Sequence, residues 1–281
     1  MGPAAGEWAD VSRLSARRPT VARRAVVDVD VVLVSRHGRD RVLDCLDRLA
    51  IGTDGSVLSV TVVDNGSGDG TYEDVAARGD GTRVIDMEFD TGFATAANAG
   101  MARGRGRYIL ILDQDTIMTP GSLRSLVEFA DRHPDGGAFA PRLLDGQGSP
   151  STPDAGDEPA FEIDWVPARA MLVPRAVHAA TAGFDEGYLD FWGDRDWSRR
   201  IKNAGYSLYC VSTATAICQD PSPADRSQQL AAIRSYHAGA YRYWLQHEAP
   251  PRWHPAHWAQ AFLLAARGQL AVLTSKAPPG A

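Results

Sequence analysis

The feature that most restricts the fold is an alternation of short apolar runs with segments of helical spacing. Val29-Asp-Val-Val-Leu-Val34 reads as a buried strand, and Val42, Leu43, Leu46 and Leu49 then fall on one face of a helix of about three turns. Val57–Val63 gives a second strand, Thr71–Ala77 a short helix and Thr82–Asp86 a third strand. The small-residue stretch Asp90–Gly100 reads as a helix packed close to a sheet, and Tyr108–Leu112 as a further buried strand. Such an order implies a largely parallel sheet joined by right-handed crossovers.

The strands end on acids. Asp64 closes the second, and Asp113-Gln-Asp115 closes the run Tyr108–Leu112. In an open α/β sheet the carboxyl edge is where ligands bind. Two carboxylates one residue apart can take a hard divalent cation, which can in turn neutralise a diphosphate. The competing reading is a polar turn that caps the next helix, whose start Thr119-Pro120 signals and which Pro134 ends.

Further along, Leu144–Pro159 is loaded with Gly, Pro, Ser and Asp and reads as a loop, and Trp165–Val173 reads as a strand with Pro174 opening a short helix. In Gly183–Gly205, Trp197, Ile201 and Ala204 share a helical face and Gly205 is a stop. Asp194 then lies at the helix N-terminus, where a carboxylate also serves as a cap, and Asp196 is spaced for a surface ion pair with Arg199 or Arg200. Asn98, between alanines in mid-helix, suggests a specific hydrogen-bonding duty. Tyr206–Val211 and Ala214–Ile217 precede a helix over roughly 224–247. A final amphipathic segment over about 255–273, with Trp258, Phe262, Leu263 and Leu270, is expected to pack on its own domain; peripheral membrane contact is the lesser alternative.

A formal charge of −6 with no basic face argues against a nucleic-acid partner. Cys45, Cys210 and Cys218 suit neither a disulfide framework nor a zinc site, and neither a signal peptide nor a spanning segment is evident. A cytoplasmic protein is expected.

The succession Val63-Asp-Asn-Gly-Ser67, Gly92-Phe with Asn98-Ala-Gly100, Leu112-Asp-Gln-Asp-Thr116, Gly183-Phe-Asp-Glu186 and Asp194-x-Asp-Trp197 resembles family 2 glycosyltransferases of the GT-A fold, in particular a rhamnosyltransferase-like branch. The resemblance covers about residues 28–220. A flexible segment 1–27 is expected before this region and a helical extension 221–281, packed on the same domain, after it; the resemblance implies a Rossmann-like mixed, mostly parallel sheet flanked by helices. It also implies inverting transfer from a UDP- or dTDP-linked sugar to a glycan or small natural-product acceptor, dependent on Mg2+ or Mn2+. On the matching positions, Ser35, Asp64, Asn98, Asp113 and Gln114 would bind the sugar nucleotide, Asp115 the metal and Trp192 the acceptor, with Asp194 the general base. The chain departs from the family pattern at Ser35-Arg36-His37, where Thr-aromatic-Asn is usual. Asp90 stands for Asn, Ala168 for Gly, Gly193 for Glu and Gln219 for His. These departures bear on donor identity. They leave two other readings to be weighed, a non-catalytic sugar-nucleotide or glycan-binding relative and a sugar-phosphate nucleotidyltransferase.

Overall fold

A computed structural model describes residues 29–52, 57–151, 158–219 and 226–274; segment 1–27 lies outside them. One nine-stranded sheet runs in the order β3-β2-β1-β4-β8-β6-β9-β5, with β7 paired to β9. Its strands are β1 (Val29–Ser35), β2 (Val57–Asp64), β3 (Arg83–Asp86), β4 (Tyr108–Asp113), β5 (Thr116–Met118), β6 (Gly136–Leu144), β7 (Ala160–Glu162), β8 (Ala170–Pro174) and β9 (Ser207–Cys218). β1, β2, β3, β4, β6 and β9 share one direction, while β5, β7 and β8 oppose it. The sheet is mixed and mostly parallel, with β1 and β4 side by side at its centre.

Because successive strand residues face opposite sides, each central strand feeds two cores. Leu33 and Leu110 pack with Val42, Leu46, Leu123 and Leu126 of α1 (Arg39–Gly52) and α4 (Ser122–Arg132). Val32 and Ile111 pack with Ala97, Met101, Trp197 and Ile201 of α3 (Phe93–Met101) and α6 (Gly193–Asn203). The alanines and glycine of α3 let it lie close: a Cβ on Gly100 would stand 2.4 Å from Val32 Cγ1. Two short helices, α2 (Thr71–Ala77) and α5 (Arg175–Thr181), complete the layers.

Several expectations change in detail. β5 intervenes between Asp115 and α4, which begins at Ser122 after the turn Thr119-Pro120-Gly121. The expected strand over Trp165–Val173 is cut to Ala170–Pro174, and Trp165, Pro167, Ala168 and Arg169 instead wall a cavity. The two segments expected after Tyr206 are one strand, β9, with a register irregularity opposite Pro141/Arg142.

Two further helices follow, α7 (Arg226–His247) and α8 (Pro255–Thr274). α7 is fastened to the domain: Arg242 and Gln246 donate to Asp185, and the Tyr188 hydroxyl donates to Gln246. α8 packs on α7, with His257 against Trp244 and Gly268 against His237. The expectation that its aromatic stripe packs on the domain fails. Trp258, Phe262, Leu263 and Leu270 are exposed, because the face turned to α7 is the other one, carrying His257 and Gly268.

Candidate active site

The carboxyl ends of β1, β2 and β4 and the start of α6 converge on one edge of the sheet. On the β1–β2 side, Asp64 is buried and its carboxylate accepts from Ser67 N at 3.1 Å. The Ser67 hydroxyl in turn accepts from His37 N. Asn65 knots this loop to the entrance of α3, donating to Asp90 at 2.9 Å and accepting from Thr91 N and Oγ1. Ser35 is enclosed and its hydroxyl has no partner among the described residues. Arg36 points outward, its guanidinium donating to Asp90 at 2.8 Å and to Asp190 at 3.1 Å. Two departures from the family pattern, Arg36 and Asp90, are therefore partners of each other.

At the end of β4, Gln114 clasps the Arg36 residue, accepting from its N at 3.1 Å and donating to its carbonyl at 3.3 Å. Gly38 leaves room for that clasp, since a Cβ there would meet Gln114 Oε1 at 2.5 Å. Asp113 sits where burial pushes its carboxyl up from the ordinary value, and the neighbouring Asp115 adds to the shift. Asp115 is held by Arg41 of α1 at 2.5 Å, and its backbone carbonyl accepts from Gln219 N at 2.7 Å. Gln219 thus occupies the position beside the acid pair where the family pattern has His.

Facing these is the loop 183–192. Asn98 holds it with both ends of its carboxamide, donating to the Phe184 carbonyl and Glu186 and accepting from Phe184 N. The hydrogen-bonding duty expected of Asn98 exists, directed at the chain itself. Trp192 adopts a left-handed backbone, φ 74°, and caps α6, which places Asp194 on its first turn. A cavity of about 220 Å³ opens there, lined among others by Phe93, Asp113, Trp165, Arg169, Asp190 and Asp194. Asp194 accepts from Arg195 N at 2.8 Å and Ala168 N at 3.3 Å, but burial outweighs these bonds and pushes its carboxyl up. A carboxylate so placed binds a proton more readily than an exposed one.

Two expectations at this site are corrected. Trp192 is not displayed to the cavity: its ring packs on Tyr236 and Tyr243 of α7, at 5.7 and 5.3 Å. The indole that lines the cavity is Trp165, covered on one side by Arg195 at 4.1 Å. Asp196 is not a surface ion pair. It is buried and bonded to Arg200 at 2.8 Å and His247 at 2.7 Å, joining α6 to α7. Spacing along one helix could not reveal His247, which lies 51 residues away. Trp165, Arg169 and Asp190 were missed; Trp165 and Arg169 fell within a run that read as a strand.

Among the described residues no group of three or more His, Cys, Asp or Glu side chains is placed to hold a metal by itself. Asp113 and Asp115 nevertheless fit a divalent cation of the kind that takes one or two carboxylates and completes its shell with water and substrate phosphates. The mutual repulsion of the pair would be relieved by such a charge.

Comparison with known proteins gives the fold type and the family. Over 273 residues the chain is 24% identical to the N-acetylglucosaminyl-diphospho-decaprenol L-rhamnosyltransferase of Mycobacterium tuberculosis, covering 82% of this chain and 88% of that protein. Its fold matches S. aureus TarS residues 1–349 in complex with UDP-GlcNAc, with TM-score 0.64, 15% identity and coverage of 87% and 73% of the two chains. It also matches GalNAc-T7 with UDP, GalNAc and Mn2+, with TM-score 0.62 and 13% identity, over 78% of this chain but only half of that one. The fold is of the GT-A type. The sequence profile of Glycosyl transferase family 2 matches residues 30–180, more than half of the 281 residues, and the chain accordingly belongs to that family of glycosyltransferases.

Proposed function

We propose that the protein transfers a sugar, with inversion, from a UDP- or dTDP-linked donor to an acceptor hydroxyl in a divalent-metal-dependent reaction. The observation that carries this reading is that Asp113, at the end of β4, and Asp194, at the start of α6, open into the same cavity. Asp64, Ser35 and the Asp113–Gln114 edge bind the nucleoside side of the donor, and Asn98 acts through the loop it holds. Asp113 and Asp115 hold Mg2+ or Mn2+, which when bound offsets the charge of the departing diphosphate. Asp194 takes the proton from the acceptor hydroxyl as that oxygen attacks the anomeric carbon, and its raised proton affinity suits the role. Trp165, with Phe93 and Tyr188, gives a sugar ring an apolar wall. The acceptor is a glycan or a small natural product. The name of the mycobacterial relative, which specifies a sugar on a lipid diphosphate, favours a lipid-linked glycan. The three cysteines are free and buried, which suits a reaction at the reducing, cytoplasmic side, and no described helix is long and apolar enough to cross a membrane.

The test begins with thermal stabilisation by a panel of sugar nucleotides with and without Mn2+, since a ligand of the folded state raises stability by mass action. The donor found is then used to compare Asp194→Asn with the parent. Turnover is expected to fall about 10²- to 10⁴-fold while nucleotide affinity is retained. A near-normal rate removes Asp194 from the mechanism.

A further inference from the structure

Among the described residues, α8 and the turn before it present a largely exposed apolar surface. Trp253, Trp258, Phe262, Leu263, Leu270 and Leu273 are each between 59% and 81% exposed. A helix apolar on nearly every side is normally buried, and among the described residues it is α7 that covers α8, on one side. Its charge is equally one-sided. From Ala249 to Ala281 the chain has no Asp or Glu, and Arg252, Arg267 and Lys276 make the segment positive in a protein of net charge −6.

We infer that this face of α8 docks on an anionic phospholipid surface. A second copy of the chain is the less favourable occupant, because pairing two such segments would bring together two chains of like sign with no acid in either segment to offset them. Lipid phosphates supply that offset, and the tryptophans near the start of α8 suit the headgroup boundary. The placement also has a use, which rests on the transferase reading above. The side of α7 away from α8 abuts the acceptor-side lip of the cavity: Gly239 lies against the Phe191 carbonyl, and Tyr236 and Tyr243 against Trp192. A docked α8 holds Asp194 one helix away from the lipid, within reach of an acceptor anchored there.

The experiment is sedimentation of the full chain with vesicles of phosphatidylcholine alone or mixed with phosphatidylglycerol, comparing the parent with Trp258→Ser/Phe262→Ser/Leu270→Ser. The parent is expected to pellet with the anionic vesicles, and the triple variant to lose at least about tenfold in partitioning, given the apolar surface it no longer buries. Thermal unfolding checks that the variant is folded, and its stabilisation by the donor should match the parent's. A parent that stays in the supernatant with both vesicle types overturns the inference. So does a parent that dimerises in analytical ultracentrifugation without lipid while the triple variant is monomeric, which would assign the face to a second copy. Vesicle binding without turnover of any sugar nucleotide would sink the transferase reading and leave the lipid surface standing.

Discussion

The bond between α7 and the acceptor-side loop can be weighed by titration. Asp185 is pushed up by burial, but donors from Gln246, Arg242 and Gly187 N outweigh this and hold it at about 2, against an ordinary carboxylate value of 3.8. A depression of that size corresponds to at most about 2.5 kcal/mol if the pair were shielded from water. The Asp185 and Arg242 side chains are 28% and 41% exposed, so solvent screening reduces the share of the ion pair to about 1 kcal/mol. Arg242→Met keeps the apolar stem and removes the charge. The depressed carboxyl contributes stability above its unfolded value, and that contribution fades as pH falls from 3.8 towards about 2. Urea midpoints should therefore show Arg242→Met about 1 kcal/mol less stable at pH 7, with the gap clearly narrowed by about pH 3. Asp185 belongs to the loop that Asn98 holds from the other side, so the same variant should raise the acceptor KM and leave the donor KM unchanged. A stability gap that is constant down the pH series, or a donor KM that moves with the acceptor KM, would refute the reasoning.

Three further outcomes are expected. Because burial raises the Asp194 carboxyl, its ionised form is costlier in the folded state than in the unfolded chain. Asp194→Asn should thus be at least as stable as the parent at pH 7, the difference shrinking on acidification, and the acid limb of the parent's rate profile should lie above 3.8; a limb at or below that value contradicts the assignment. Arg41 and a cation compete for Asp115, so Arg41→Ala should tighten Mn2+ binding in the presence of UDP by up to about fivefold in calorimetry, and unchanged or weaker binding would exclude the competition. Gly100→Ala gains about 1 kcal/mol of helix propensity but forces a methyl onto Val32, a net loss of roughly 1–2 kcal/mol that Val32→Ala should partly relieve; additive losses in the double variant would show that the contact is not the cause.

The regular half of the molecule was legible because each central strand is a run of apolar residues with its acid at the end. β1, β2 and β4 extend one residue beyond the apolar runs, to Ser35, Asp64 and Asp113, and α2 matches its expected bounds. β5 was missed because Thr116-Ile-Met118 is too short for a pattern and is fixed by pairing to Thr215–Cys218 on β9. At the site, strand ends marked Asp64, Asp113 and Asp115, and a helix start marked Asp194. Positions were readable; orientations were not. Trp192 and Asp196 flank the same helix start, yet both are directed by α7, whose residues 236–247 lie far along the chain. α8 defeated the expectation for a related reason, since its composition says how much of it is apolar and not which face α7 covers.

The Arg36–Asp90–Asp190 bridge restricts how the site could be remodelled. A change of Arg36→Tyr alone, towards the aromatic residue usual in the family, would leave Asp90 and Asp190 as two carboxylates at one lip with their shared cation gone. Asp90→Asn alone would leave the guanidinium to Asp190 and weaken the bond that now joins the β1 loop to the entrance of α3. The effects of the two changes are therefore expected to be non-additive, each tolerated better in the presence of the other. Exchanging donor-side loops between this protein and a relative would work only if residues 36 and 90, which lie 54 positions apart, were moved together.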